Sequence, residues 1–207
     1  DYQIPMGSLG QWLRADEDAF LPKQKSYLQA CPNRILRLQK KYRDLAGDKL
    51  LVGISWKSTG IDQKRAKTKN APLKYWTPIL SREDCYFINL QYGDIREEIE
   101  EYISASGYPV YIDEEVDSLS NLDDFAAQIS AFDLIVSTSN ATVHMSGGLG
   151  KKVWVLLSSR PDWRWMLERE DTPWYQTMRL FRQEKAGDWE RVFQRISSAL
   201  EQDIKNG

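Results

Sequence analysis

The chain has 207 residues, long enough to bury a substantial core, and sets 28 Lys and Arg against 30 Asp and Glu. That near-neutral balance excludes a global field drawing the molecule to nucleic acid or to an anionic membrane, so any such affinity has to be local. Two distant cysteines, Cys31 and Cys85, lack metal-ligand spacing and read as free thiols. No apolar run approaches the roughly 20 residues of a membrane-spanning helix. The expectation is a cytoplasmic protein.

The opening DYQIPMGSLGQWLR begins on Asp1 and has neither the polarity of a tail nor a helical period, as expected of a fragment of a longer protein. Between 22 and 46, Ile35, Leu38, Tyr42 and Leu45 recur at three and four residues and predict a helix, with Gly47 as its stop. KLLVGISW reads as a buried strand and CYFINLQ as a second. DIREEIEEYISASG places Ile95, Ile99, Tyr102 and Ile103 on one helical face, and YPVYID reads as a third strand. NLDDFAAQISAF opens with Asn121 as N-cap and acidic residues in the first turn. DLIVSTS is a fourth strand, ATVHMSGGLG a short helix, KVWVLLS a fifth strand and MRLFRQ a sixth. DWERVFQRISSALEQDI closes the chain as an amphipathic helix. This alternation predicts a doubly wound α/β domain around a mainly parallel, six-stranded sheet.

In an open parallel sheet, ligands bind beyond the carboxyl ends of the strands. SWKSTG, LQYGD and STSNATVH follow the first, second and fourth strands, and are expected to converge on one crevice. The helix starting near Ser139 to Ala141 offers unpaired amides and a positive dipole end, where an anion belongs. Ser139 or Asn140 can cap it, Thr142 presents a hydroxyl, and His144, the chain's one histidine, can lean back toward whatever the amides hold. A purely structural cap with an interior histidine fits the same residues. In the basic loop Lys57 to Lys74, Lys57 and Ser58 have the best claim on a phosphate, while the later Lys64, Arg65, Lys67 and Lys69 read as solvated. Trp163, Trp165 and Trp174 lie in apparent loop, to fasten it or to stack on a ligand ring, and Arg164 between them is either stacked or salt-bridged.

Several signatures fail residue by residue. SGGLGKK lacks the first glycine and the Ser/Thr of a P-loop, and no G-x-G-x-x-G follows the first strand. No cluster has metal-ligand spacing, and no G-x-S-x-G supplies a nucleophile elbow for His144. Asn140-Ala141-Thr142 matches a glycosylation acceptor, set aside in this strand-to-helix context.

The succession LVGISWKSTG, FINLQYGD, LDDFAAQISAFDLIVSTSNATVHMSGGLGKKVWVLL, PDWRW, PWYQTMRLFRQ and GDW resembles the C-terminal half of heptosyltransferase-like glycosyltransferases. More narrowly, it is similar to the version that follows tetratricopeptide repeats in bacterial proteins. The resemblance implies a Rossmann-like half of a GT-B fold over residues 50–207, with 1–49 as the tail of a preceding domain and a connecting helix. It implies a nucleotide-diphosphate sugar donor, inverting chemistry without metal or other cofactor, and a protein, lipid or polysaccharide acceptor. Carried over by position, the phosphate-facing loop falls on Trp56, Lys57, Ser58 and Thr59, with Gln91 in the second loop, and the ribose-binding acid falls on Asp123. An Asp-Thr pair and a following His fall on Ser139, Asn140 and His144, with Thr142 between; His144 is the catalytic candidate. Serine and asparagine replace the Asp-Thr pair, which removes a charge. The alternative is therefore a degenerate, non-catalytic relative serving protein interaction or regulation.

Overall fold

The computed structural model describes residues 3–20, 26–58 and 68–206. Thr59, Lys64, Arg65 and Lys67 lie outside the described residues. Strand β1 (Leu50–Ser55) is buried from Leu51 onward, and it reads as a continuous apolar run because both faces of the sheet are covered. It pairs in parallel with β2 (Cys85–Asn89) on one side and β3 (Leu134–Thr138) on the other. Strands β4 (Val153–Leu157) and β5 (Met178–Arg182) extend the sheet beyond β3, giving the order β2-β1-β3-β4-β5.

Among the described residues the sheet has five strands, not six. YPVYID contributes one parallel bridge beyond β2: the Tyr111 amide donates to Phe87 O at 2.9 Å, and Asn89 N–H donates to Tyr111 O at 2.8 Å. The next rung would need an N–H from residue 109, which is proline, so the ladder ends there.

Helices cover both faces. Besides α1 (Leu9–Leu13), the described helices are α2 (Pro32–Ala46), α3 (Thr77–Leu80), α4 (Arg96–Ser106), α5 (Leu122–Ser130), α6 (Ala141–Gly148) and α7 (Trp189–Asn206). Residues of α3, α4 and α7, such as Ile79, Ile99 and Phe193, share one core with Val52, Ile54 and Val136. Residues of α2, α5 and α6, such as Leu38, Phe125 and Val143, share the opposite core with Leu51, Ile135 and Val155. Gly53 faces this second core, where a Cβ would come within 3 Å of both Leu90 and Phe132. A buried carboxylate locks α2 in place: Asp113 accepts from Tyr42 Oη at 2.7 Å and Lys41 Nζ at 2.8 Å, and Gln128 of α5 donates to Tyr42 Oη at 3.0 Å.

From β1 the winding runs outward through β2 to the Tyr111 bridge, then crosses back to β3 and continues through β5. The topological switch point therefore lies between β1 and β3, whose carboxyl ends carry Ser55-Trp56-Lys57 and Ser139-Asn140.

Candidate functional site

Asn140 is the N-cap of α6. Its Oδ1 accepts from Thr142 N at 3.0 Å, and its Nδ2 donates to Ser55 Oγ at 2.7 Å and to Lys57 O at 3.1 Å. One buried amide thus caps the helix and staples the ends of β1 and β3 together. Ala141, the first residue of α6, is exposed, and Thr142 is fully buried with no hydrogen-bond partner for its Oγ1 among the described residues. Ser139 does not cap; its Oγ accepts from Trp165 Nε1 at 2.8 Å.

The loop after β1 is organised from β2. Gln91 Oε1 accepts from Ser55 Oγ at 2.9 Å, from Trp56 N at 3.0 Å and from Lys57 N at 2.8 Å. Gln91 is therefore a buried scaffold that takes up amides at the strand end, where open ones would suit a phosphate. Trp56 and Lys57 turn toward α4: Trp56 Nε1 donates to Glu98 Oε1 at 2.8 Å, and Lys57 Nζ pairs with Glu98 Oε2 at 2.6 Å. The Ser58 amide donates to Asn70 Oδ1 at 2.8 Å. Asp123 is exposed in the first turn of α5, while its neighbour Asp124 bonds Arg34 and the Asn121 cap.

His144, one turn into α6, is half-buried on the wall of a cavity of about 440 Å³. Trp163, Trp174 and Tyr175 line the cavity with it, as do Leu9, Leu13 and Arg14 from the N-terminal segment. The imidazole stacks on the fully buried Trp165 ring at 5.4 Å with the planes 16° apart. Nδ1 lies 3.0 Å from Tyr175 Oη, and Nε2 lies 3.4 Å from Arg164 Nη1. Burial, reinforced by the Arg164 charge, pushes the imidazole pKa down to about 4, so the ring is neutral near pH 7. Arg164 is both stacked and salt-bridged: its Nε donates to Asp162 Oδ1 at 3.0 Å and its guanidinium lies over Trp163, 5.9 Å from the ring centre.

The tryptophan loop divides its labour. Trp165 fastens the loop to Ser139 and His144, whereas Trp163 is 63% exposed. The glycines closing α6 let neighbours approach: a Cβ on Gly147 would meet Tyr175 Cδ1 at 2.5 Å, and one on Gly148 would meet Leu28 Cδ1 at 2.7 Å. The partners of His144, namely Arg164, Trp165 and Tyr175, come from 20 to 31 residues downstream, and local spacing gave no sign of that convergence. Among the described residues, no cluster of His, Cys, Asp and Glu could hold a metal ion, and no helix is long and apolar enough to cross a membrane.

No family model matches the chain. It is 34% identical over 200 residues to protein FlbA of Caulobacter vibrioides, an alignment covering 97% of this chain and 33% of that protein. Among solved structures it is similar to the E. coli ADP-heptose LPS heptosyltransferase II, with a TM-score of 0.60 at 14% identity over 89% of this chain and 56% of the enzyme. The glycosyl transferase family 9 protein of Veillonella parvula superposes with a TM-score of 0.64 at 11% identity, over 87% and 54%. E. coli heptosyltransferase WaaC, solved with ADP-2-deoxy-2-fluoro heptose, superposes at 0.50 with 12% identity, over 77% and 44%. The chain thus has the α/β fold seen in these glycosyltransferases, and spans about a third of the curated relative and about half of the solved ones.

Proposed function

We propose that residues 50–207 form the donor-binding half of a GT-B glycosyltransferase that holds a nucleotide-diphosphate sugar, with residues 1–49 as lead-in from a preceding, repeat-containing domain. Helix α2 of that lead-in shares a core with the sheet. The observation that carries the reading is a coincidence in space. The switch point of the sheet, the first turn of α6 and the His144 cavity are joined by Asn140, Ser139 and Trp165. The fold shared with heptosyltransferases supports the same reading.

In this reading the diphosphate lies at the exposed start of α6, where the helix dipole favours negative charge, with Lys57 and Ser58 of the β1 loop beside it and Thr59, next in sequence, offering a further hydroxyl. Asn140, Gln91 and Trp56 shape that loop, Ser139 borders the phosphates, and Asp123 meets the ribose; Thr142, fully buried, supports the start of the helix without touching the ligand. As the sugar–phosphate bond breaks, its electron pair leaves with the nucleoside diphosphate, while an acceptor oxygen attacks the opposite face of the anomeric carbon. Fixed donors aimed at the departing oxygens stabilise that charge, each by a few kcal/mol in a water-poor cleft. Neutral His144 serves as a hydrogen-bonding catalytic group. The acceptor, on protein, lipid or polysaccharide, and the base that takes its proton belong to the other half of the fold. No metal is needed, and the reaction is cytoplasmic.

Calorimetric titration with ADP, GDP, UDP and their sugar conjugates tests the reading, with His144→Ala alongside. Binding of one nucleotide in the micromolar to millimolar range, weakened in the variant, is expected. No binding by the wild type at millimolar concentration ends the proposal.

A second reading, a non-catalytic module for protein interaction or regulation, is favoured by one observation. The serine and asparagine that replace the Asp-Thr pair are both engaged with protein groups. It requires that the full-length protein neither hydrolyse nor transfer from any nucleotide sugar, and measured turnover would exclude it.

A further inference from the structure

We propose that Arg164 is a positioning residue for His144: it holds the imidazole as the neutral tautomer protonated on Nδ1, and yields the Nε2 lone pair to a ligand that carries a hydroxyl beside an anion. The tautomer follows from donor chemistry alone. A guanidinium has only N–H donors, so at the 3.4 Å contact Nε2 must accept. A neutral imidazole that accepts at Nε2 carries its proton on Nδ1, which then donates to Tyr175 Oη at 3.0 Å. Stacking on Trp165 fixes the ring plane, and the contacts at both nitrogens set which edge faces Arg164.

Arg164 is itself held by groups independent of His144. Asp162 accepts from its Nε, and Trp163 lies under its guanidinium. The turn that presents it is followed by Met166 at φ 52° and Glu168 at φ 58°, a left-handed backbone that costs non-glycine residues energy and is maintained by the surrounding packing. Of the two hydrogen bonds made by the guanidinium, the contact to His144 is the longer and weaker, so it is the one a ligand displaces. An anion then takes the freed N–H groups, and a neighbouring hydroxyl donates to Nε2. The charged groups around the ring are Arg164, Asp162 and Lys69, and Arg14 also lines the cavity, so cations prevail there. Identifying that ligand as a sugar diphosphate rests on the donor-binding reading; the tautomer does not.

His144 is the chain's single histidine, so a ¹⁵N-labelled sample gives one pair of ring-nitrogen signals. The expected wild-type spectrum at pH 7 shows Nδ1 protonated and Nε2 bare. Arg164→Met is expected to admit the Nε2–H tautomer and to raise the titration midpoint by about one pH unit, as loss of a neighbouring cation should. Arg164→Lys, which retains charge and a donor, is expected to preserve both features, and keeps the experiment readable should the methionine variant fail to fold. A wild-type ring protonated on Nε2, or a folded Arg164→Met protein with tautomer and midpoint unchanged, overturns the positioning role. Loss of the Nδ1–H form in Arg164→Lys overturns it as well. In calorimetry with a nucleotide sugar, Arg164→Met should bind at least tenfold more weakly, and equal binding overturns the exchange. A wild type that binds no nucleotide sugar overturns the donor reading and the exchange with it, while the ring signals still decide the tautomer.

Discussion

Asn140 Nδ2 donates to Ser55 Oγ across 2.7 Å, joining the carboxyl ends of β3 and β1 at the point where the winding of the sheet reverses. The same side chain caps α6, so the junction of the two strand ends and the start of the helix depend on one amide. Asn140→Ala removes the cap, worth about 1 kcal/mol, and leaves buried groups unpaired at about 1–3 kcal/mol more. A loss of about 2–4 kcal/mol in urea unfolding is expected. Asn140→Asp keeps the cap but turns a carboxylate toward Lys57 O, and should lose nearly as much; full stability in that variant would show that the staple contributes little.

Protonation of His144 should be visible in stability. Because burial and then Arg164 hold the folded pKa at about 4, below the ordinary 6.5, the unfolded chain binds more protons between those values. Stability is therefore intact above about pH 6.5 and declines as pH falls through the window toward 4. The shift is equivalent to roughly 3 kcal/mol at the acid end. The difference between wild type and His144→Gln, measured by denaturant unfolding across this range, isolates the term from the titration of carboxylates. A difference that does not change with pH would contradict the burial of the ring.

Gly147→Ala should disturb the cavity from behind. A Cβ there would lie 2.4 Å from Met178 Cε and 2.5 Å from Tyr175 Cδ1. The methionine end can give way, but the Tyr175 ring is stacked on Tyr27 and bonded to His144. Overpacking of this kind costs about 1–3 kcal/mol. A lower melting midpoint together with weaker nucleotide binding is expected, and wild-type values for both would show that the ring is free to shift.

The Lys57–Glu98 pair offers a gain-of-binding experiment. Glu98→Gln keeps an acceptor for Trp56 Nε1 but releases Lys57 from its carboxylate. The pair is partly exposed, so stability should change by less than about 1 kcal/mol. If Lys57 meets the diphosphate, affinity for a nucleoside diphosphate should rise several-fold in calorimetry. Unchanged affinity would remove Lys57 from the site.

The strands β1 to β5 and the caps at Asn121 and Asn140 were legible because hydrophobic periodicity and capping act between residues a few positions apart. YPVYID looked like a strand by the same rule and became a single bridge, since composition does not reveal that Pro109 falls on the rung that must donate. The strand ends expected to lie together do so, Gln91 and Asn140 both bonding Ser55, because parallel α/β topology brings strand ends together.

Availability of the polar groups in those loops was another matter. Gln91 takes amides 34 and 35 residues away, Glu98 takes the Lys57 ammonium 41 residues away, and Trp165 reaches back 26 residues to Ser139. The amino-acid order by itself determined the layered sheet, the helix starts and which strand ends lie together, all set by local pattern. Which of its donors and acceptors are already engaged within the protein, and that His144 meets Arg164 and Tyr175, only the tertiary structure decided, because each hydrogen bond there closes between segments distant in the chain.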